Sequence, residues 1–311
     1  SRRPIHFMSA NNSCTPSPLP HDLPRNDFGG RVTATIFDLG AVPVIVPDLP
    51  EVDYHAHPAL SSTGARTLLD CPARFDWQRR NPRPHKDTFD FGTAVHTLTL
   101  GAGWVIEALD FDDWRTKAAR EAADEIRANG GIPMLRKDYD VAKEAADAVH
   151  AHPAAGPLMR PADDRLVEAS MFAEDPTTGV AMRARVDMLA PDVMIDLKTA
   201  RSADPEKFGR DAATYGYQVQ MAWYQHVARL CGRDAIPFLF VVVENVAPYL
   251  VNVIELDAEF AQIGRSQVER ALVKYAECSA SGVWPGFERA DGQPNLVGPP
   301  AWLSYSEGME L

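Results

Sequence analysis

In the stretch "VMIDLKTARSA" (Val193–Ala203), an apolar run ends on Asp196 and Lys198, two positions apart. Buried charge is costly unless it is paired, hydrogen-bonded or bound to a metal, so these side chains need partners. Strand alternation puts Asp196 and Lys198 on one face. The preceding strand-like stretch, "VAMRARVDMLA" (Val180–Ala190), carries Asp187, and Pro191-Asp192 reads as the turn between them. A two-residue loop pairs Ala190 with Val193, and a four-residue loop pairs Leu189 with Met194. Either register sets Asp187 opposite Asp196. Cross-strand neighbours have Cβ atoms about 4.5–5.5 Å apart, so two carboxylates held there need a cation or a shared proton. Hard oxygen ligands of this kind suit Mg²⁺. Lys198 would then orient or help deprotonate a water, or neutralise charge developing on a phosphate. The plainer alternative is an Asp196–Lys198 salt bridge with Asp187 in water, and a lone D-x-K does not separate the two.

The elements that must hold these residues follow from pattern. "RLVEASMFAED" (Arg165–Asp175), "VAMRARVDMLA" and "DVMIDLK" (Asp192–Lys198) read as three strands. A helix over Tyr217–Leu230 follows, closed by Gly232 at the C′ position. Two more strands, "IPFLFVVVE" and "YLVNVIEL", lead to a final helix from Asp257 to about Ser279. Ahead of the strands, Ser61 and Ser62 cap a helix carrying Leu68 and Leu69, with Pro72 at its end. Asp87–Leu100 reads as a second helix, in which Gly92, Thr93 and Ala94 allow close packing. Trp114–His150 reads as two solvent-facing helices broken at "NGGIP". The first fifty residues are rich in Pro, Asn and Ser. They read as an extension, with one hairpin in the patch Arg31–Val46, before a domain over residues 51–311. Strands mixed with helices imply an α/β domain with a mixed sheet.

At 311 residues and 45% hydrophobic, the chain can bury a sizeable core. Its longest apolar run, Ile236–Val243, is too short to cross a bilayer. The N-terminus lacks the apolar stretch of a secretory signal. Cys14, Cys71, Cys231 and Cys278 form no C-x-x-C pair, which fits a reducing, cytoplasmic setting rather than a disulfide framework. A net charge of −12 argues against a basic coat, though a cleft can still focus positive field locally.

Several ordered motifs accompany the D-x-K: "YHAHPALSSTGARTLLDCPARFDW", "FDFGTAVHTLTL", "DWRTKAAREAADEI", "RARVDMLAPDVMIDLKTAR", "YGYQVQMAWY" and the terminal "WPGF…PPAW". Together, over Tyr54–Trp302, they resemble the P-D-(D/E)-x-K nucleases, specifically the exodeoxyribonuclease VIII (RecE-like) branch of phages and prophages. The resemblance implies a restriction-endonuclease-like α/β fold: a mixed central sheet flanked by helices, with an N-terminal helical region. It implies that His96, in G-x-x-x-H, is a metal ligand alongside Asp187, Asp196 and the carbonyl of Leu197. Lys198 matches the catalytic lysine, and Gln220 and Tyr224 match the Q-x-x-x-Y pair. Those two lie four apart, on one helix face. Glu168 is an accessory acid candidate.

The implied cofactor is Mg²⁺ or Mn²⁺, as two ions, with no iron–sulfur cluster because Cys71 and Cys278 lack companion cysteines. The implied activity is 5′→3′ digestion of one strand from double-stranded DNA ends. The implied partners are a single-strand annealing protein and further copies of the chain in a ring. DNA contacts would come from Arg66 and Arg74, in the basic segment Arg66–Lys86, and from Arg183, Arg185, Thr199 and Arg201 beside the acids. The alternatives are an endonuclease or end trimmer of the CRISPR-associated kind, a non-catalytic DNA-end-binding protein on this fold, and an acidic module that only binds Ca²⁺.

Overall fold

The structure, a computed structural model, describes residues 42–81, 91–289 and 291–299. The expected extension and hairpin before residue 42 lie outside these residues, as do Arg83, Lys86, the first turn of the helix expected from Asp87, and Pro300–Trp302 of the terminal motif.

Strand β1 (Val44–Val46) is followed by four helices: α1 (Glu51–Ala56), α2 (Ser62–Asp70), α3 (Pro72–Arg80) and α4 (Phe91–Leu100). The Ser61 side chain caps α2 by accepting from the Gly64 amide at 3.1 Å. Pro72 ends that helix and occupies the first turn of α3, where its missing N–H costs nothing. Then come β2 (Ile106–Leu109), α5 (Lys117–Ala128), β3 (Ile132–Leu135), α6 (Arg136–Ala151) and α7 (Ala155–Met159). The long hairpin β4 (Leu166–Glu174) and β5 (Ala181–Leu189) leads into β6 (Met194–Ala200). Next are α8 (Pro205–Tyr215), α9 (Tyr217–Leu230), β7 (Phe238–Glu244), β8 (Val251–Ile254) and α10 (Ala258–Ser281).

Six strands form one sheet in the order β1-β4-β5-β6-β7-β8. All neighbours are antiparallel except β6 and β7, which run parallel and are joined through α8 and α9. The mixed sheet and the restriction-endonuclease-like arrangement agree with expectation. The sheet also takes in β1, from the segment read as extension.

A core lies on each face. Met182, Ala184, Val186, Phe238, Phe240 and Val242 pack under α9 and α10. Met188, Ile195, Leu197, Val241 and Val243 pack under α4, α6 and α7. Helix α9 is nearly enclosed, because α10 crosses it closely: a Cβ on Gly264 would stand 2.2 Å from the Gln218 carbonyl oxygen.

Two expectations need correction. Helix α6 is not solvent-facing, since Ala142, Ala145, Ala146 and Val149 are buried, mostly against α4. Its alanine stripe is a close-packing surface as well as a strong helix former. The break at "NGGIP" is also more than a loop: Ile132–Leu135 pairs with Ile106–Leu109 in a small parallel sheet. No helix among the described residues is long and apolar enough to cross a membrane.

Candidate functional site

The antiparallel ladder between β5 and β6 stops after Leu189↔Met194 and Met188↔Ile195. That register, extended, would match Asp187 with Asp196 and send the Leu197 amide to Val186. Instead, Leu197 N donates to Asp187 Oδ2 at 2.7 Å. A carboxylate takes the place of a backbone acceptor, and the two strands part where the acids begin.

The break has a counterpart in β4. Val167↔Met188 and Ala169↔Val186 pair normally, but Glu168 and Asp187 between them are not ladder partners. Glu168 has φ +48, a left-handed conformation uncommon for a non-glycine residue. The side-chain alternation slips there: Val186 and Leu189 face the α9 core, while Met188 between them faces the α4 core. Such irregularities cost on the order of 1–3 kcal/mol and cluster at functional sites. Here the slip sets Asp187 and Glu168 beside α4.

His96 on α4 meets both acids: its Nε2 lies 3.1 Å from Asp187 Oδ1 and its Nδ1 lies 3.7 Å from Glu168 Oε1. Glu168 Oε2 accepts from Arg185 Nη2 at 2.5 Å. On the other face of the sheet, Asp196 is almost fully buried. Its Oδ1 accepts from Gln220 Nε2 of α9 at 2.7 Å. Lys198 pairs with Asp196 Oδ2. The Lys198 ammonium also sits over the Tyr217 ring, 5.1 Å from its centre. Tyr224 lies one turn beyond Gln220, buried, with an edge contact to Phe238.

The charges are tightly interdependent. Burial, with the Asp187 charge adding to it, raises the Asp196 carboxyl to about 6 despite Lys198. Burial alone would also raise Asp187, but His96, Lys198 and the Leu197 amide carry it below the ordinary carboxylate value. Burial opposes protonation of His96, yet Asp187, Glu168 and Asp196 lift it to about 9. Lys198 is likewise raised by Asp196 and Asp187 against its burial. Burial pushes the Tyr224 phenol well above 10, so it stays protonated.

A pH prediction follows from His96. Its folded-state pKa lies above the usual 6.5, so its stabilisation is complete below about 6.5 and is lost as pH rises through about 9. In EDTA, the wild-type unfolding midpoint should fall across that window. His96→Gln should flatten the fall, and an unchanged slope in the variant would contradict the assignment.

The site's donor set suits a hard divalent cation: the carboxylates of Asp187 and buried Asp196 and the imidazole of His96. Among the described residues no three His, Cys, Asp or Glu side chains converge as a preformed cage. His96 and Lys198 instead supply the positive charge between the acids.

The remaining expected residues separate into different roles. Arg183 is committed to structure: its Nη1 donates to the carbonyls of Tyr54, His55 and His57, and its guanidinium covers the Tyr54 ring. Arg185 joins Glu168 and donates to the Leu49 carbonyl at 2.8 Å. Arg74 pairs with Asp70 on the protein surface. Thr199, half-buried, lies on β6 next to Lys198, and exposed Arg201 comes just after the strand ends. Arg66 donates to the Tyr215 carbonyl and to Thr63 Oγ1.

Arg185 and Glu168 line a pocket of about 300 Å³ with Trp104 and Leu49. A larger cleft of about 900 Å³, lined by Asp175, His226, Arg229 and Ile236, opens by Met194 at the start of β6 and does not include the acids. The acids mark the site; cleft size does not. Sequence reasoning missed Tyr217, although its aromatic ring three residues before Gln220 was a readable signal.

Comparison with known proteins places this geometry in context. The family model described as a PDDEXK-like domain of unknown function (DUF3799) matches residues 61–291. A crystal structure described as a "Putative exonuclease" from Eubacterium rectale is similar in fold, with a TM-score of 0.53 and 14% identity. The match covers 84% of this chain and 99% of that one. A structure of SSO0001, 13% identical over 70% of this chain and 93% of its own, reaches a TM-score of 0.26. No curated protein matches.

Proposed function

Because the chain belongs to the PDDEXK-like domain family (DUF3799), we propose that it is a divalent-cation-dependent deoxyribonuclease of the RecE-like kind. It digests one strand of linear duplex DNA from a 5′ end and leaves 3′ single strands for an annealing protein. The observation that carries this reading is the two ionic contacts, His96–Asp187 and Lys198–Asp196, at the point where the β5–β6 ladder ends. The catalytic domain is residues 51–311, and β1 (Val44–Val46), just ahead of it, completes the edge of its sheet by pairing with β4.

Asp187, Asp196, His96 and the carbonyl of Leu197 would hold Mg²⁺ or Mn²⁺. When bound, the cation supplies Lewis-acid polarisation of the phosphodiester. Lys198, kept protonated by its acids, neutralises charge developing on the phosphate. Gln220 fixes the Asp196 carboxylate, and buried Tyr224 backs Gln220 from one helical turn away. Arg66 and Arg201 add positive charge near a backbone that the enzyme positions without reading sequence. A ring of copies would gather these cations into a channel inside an acidic exterior.

Covalently closed circular duplex tests the exonuclease assignment. With Mg²⁺, linearised DNA should release nucleotides from its 5′ ends and leave 3′ single strands, while the closed circle survives. Nicking or linearisation of the circle would favour an endonuclease instead.

A further inference from the structure

The α8–α9 junction carries an aromatic stack that the catalytic residues do not account for. Phe238 and Phe240 lie 5.0 Å apart in the core, and Tyr217 stacks on Phe240 at 5.7 Å and 29°. Tyr215 lies 5.8 Å from Tyr217 at 34°. These ring contacts, only one of them stacked, run from the core to the surface and end on Tyr215, which is 57% exposed. An exposed tyrosine is ordinary by itself, but this one is the outer end of a continuous row of aromatic contacts. It also stands two short steps from Lys198, whose ammonium is 5.1 Å from the Tyr217 ring.

The chain holds Tyr215 there deliberately tightly. Gly216 takes φ +71, which lets α8 end and α9 begin with a single residue between them. A Cβ on Gly216 would come 2.8 Å from Arg66 Cδ, so the turn is packed onto Arg66. Arg66 in turn donates to the Tyr215 carbonyl and to Thr63. The Arg66 charge is thereby set at the Tyr215 backbone.

We infer that Tyr215 is a stacking platform for an unpaired base of the strand being cut, beside the scissile phosphate. The inference rests on the nuclease reading and sharpens its substrate to the single strand at a frayed duplex end. Bases inside a duplex already stack on one another, whereas an unpaired base offers its face to an aromatic ring. Stacking tolerates any base, which suits digestion without sequence preference. The Arg66 guanidinium, held on the Tyr215 carbonyl, favours the backbone phosphate beside that base.

Steady-state digestion of a linear duplex with a frayed end, in Mg²⁺, tests it. Tyr215→Ala should raise KM about five-fold or more, with kcat within about two-fold of wild type. Tyr215→Phe should restore KM, and Tyr215→Leu, which keeps bulk without a ring, should not. The unfolding midpoints of all three should match wild type, since the side chain lies at the surface. Wild-type KM in Tyr215→Ala, or full rescue by leucine, overturns the platform while wild-type digestion leaves the nuclease reading standing. A wild-type protein that leaves the duplex intact overturns both.

Discussion

Asp196→Asn should lower the hydrolysis of linear duplex DNA by at least about 10²-fold and leave the protein folded. The substitution keeps the side chain's volume inside a buried site. Gln220 can rotate its amide to bond either oxygen or nitrogen, so its contact survives. What disappears is the negative charge that would hold a cation and that keeps Lys198 in place. Removing one group that stabilises developing charge in an active site typically costs about 10²–10³-fold in turnover. Circular dichroism and the unfolding midpoint would check the fold, and initial rates on end-labelled duplex would check the loss. Undiminished digestion by a folded Asp196→Asn protein would remove the β5–β6 acids from the mechanism.

The largest effect on stability is expected at Trp223. This side chain is fully buried, and its Nε1 donates to the Arg183 carbonyl of β5 at 2.9 Å. It fastens α9 to the sheet near the site. Trp223→Ala should cost about 3–5 kcal/mol through lost burial and an uncollapsed cavity. The stranded Arg183 carbonyl adds to that where water does not reach it. Urea unfolding would measure the loss as a lower midpoint. Because Gln220 lies on the same helix, activity at a given temperature should fall with it. A midpoint within the error of wild type would show that α9 is held by its α10 contact rather than by the sheet.

The outline of the site could be read in the sequence because it depends on local chemistry. Hairpin length put Asp187 and Asp196 at facing positions, whichever turn was assumed, and the observed register holds as far as Met188↔Ile195. The α9 limits followed from apolar spacing and Gly232, and observed α9 spans the same Tyr217–Leu230. The acids' detailed pairing was not readable, because the ladder stops at Met188↔Ile195 and a side chain replaces the next backbone acceptor. Nor does any composition signal mark the left-handed backbone at Glu168, since only the tertiary structure imposes it.

Helix α8 was missed although Asp204 caps it and Pro205 opens it, a start signal that stands in plain view. Strands β2 and β3 are four residues each, too short for a period-2 pattern to declare itself. Among the arginines, charge alone could not tell Arg183, which ties down the carbonyls of Tyr54, His55 and His57, from Arg66, which stands at the rim of the site. Sequence shows that a guanidinium is present; only its acceptors show what it holds.

The most direct test is a time course on linear duplex labelled at either its 5′ or its 3′ end, run with Mg²⁺ and with EDTA. The account predicts early release of the 5′ label as short product with Mg²⁺, retention of the 3′-labelled strand, and no digestion in EDTA. Digestion that persists in EDTA, or DNA left intact with Mg²⁺, would contradict it.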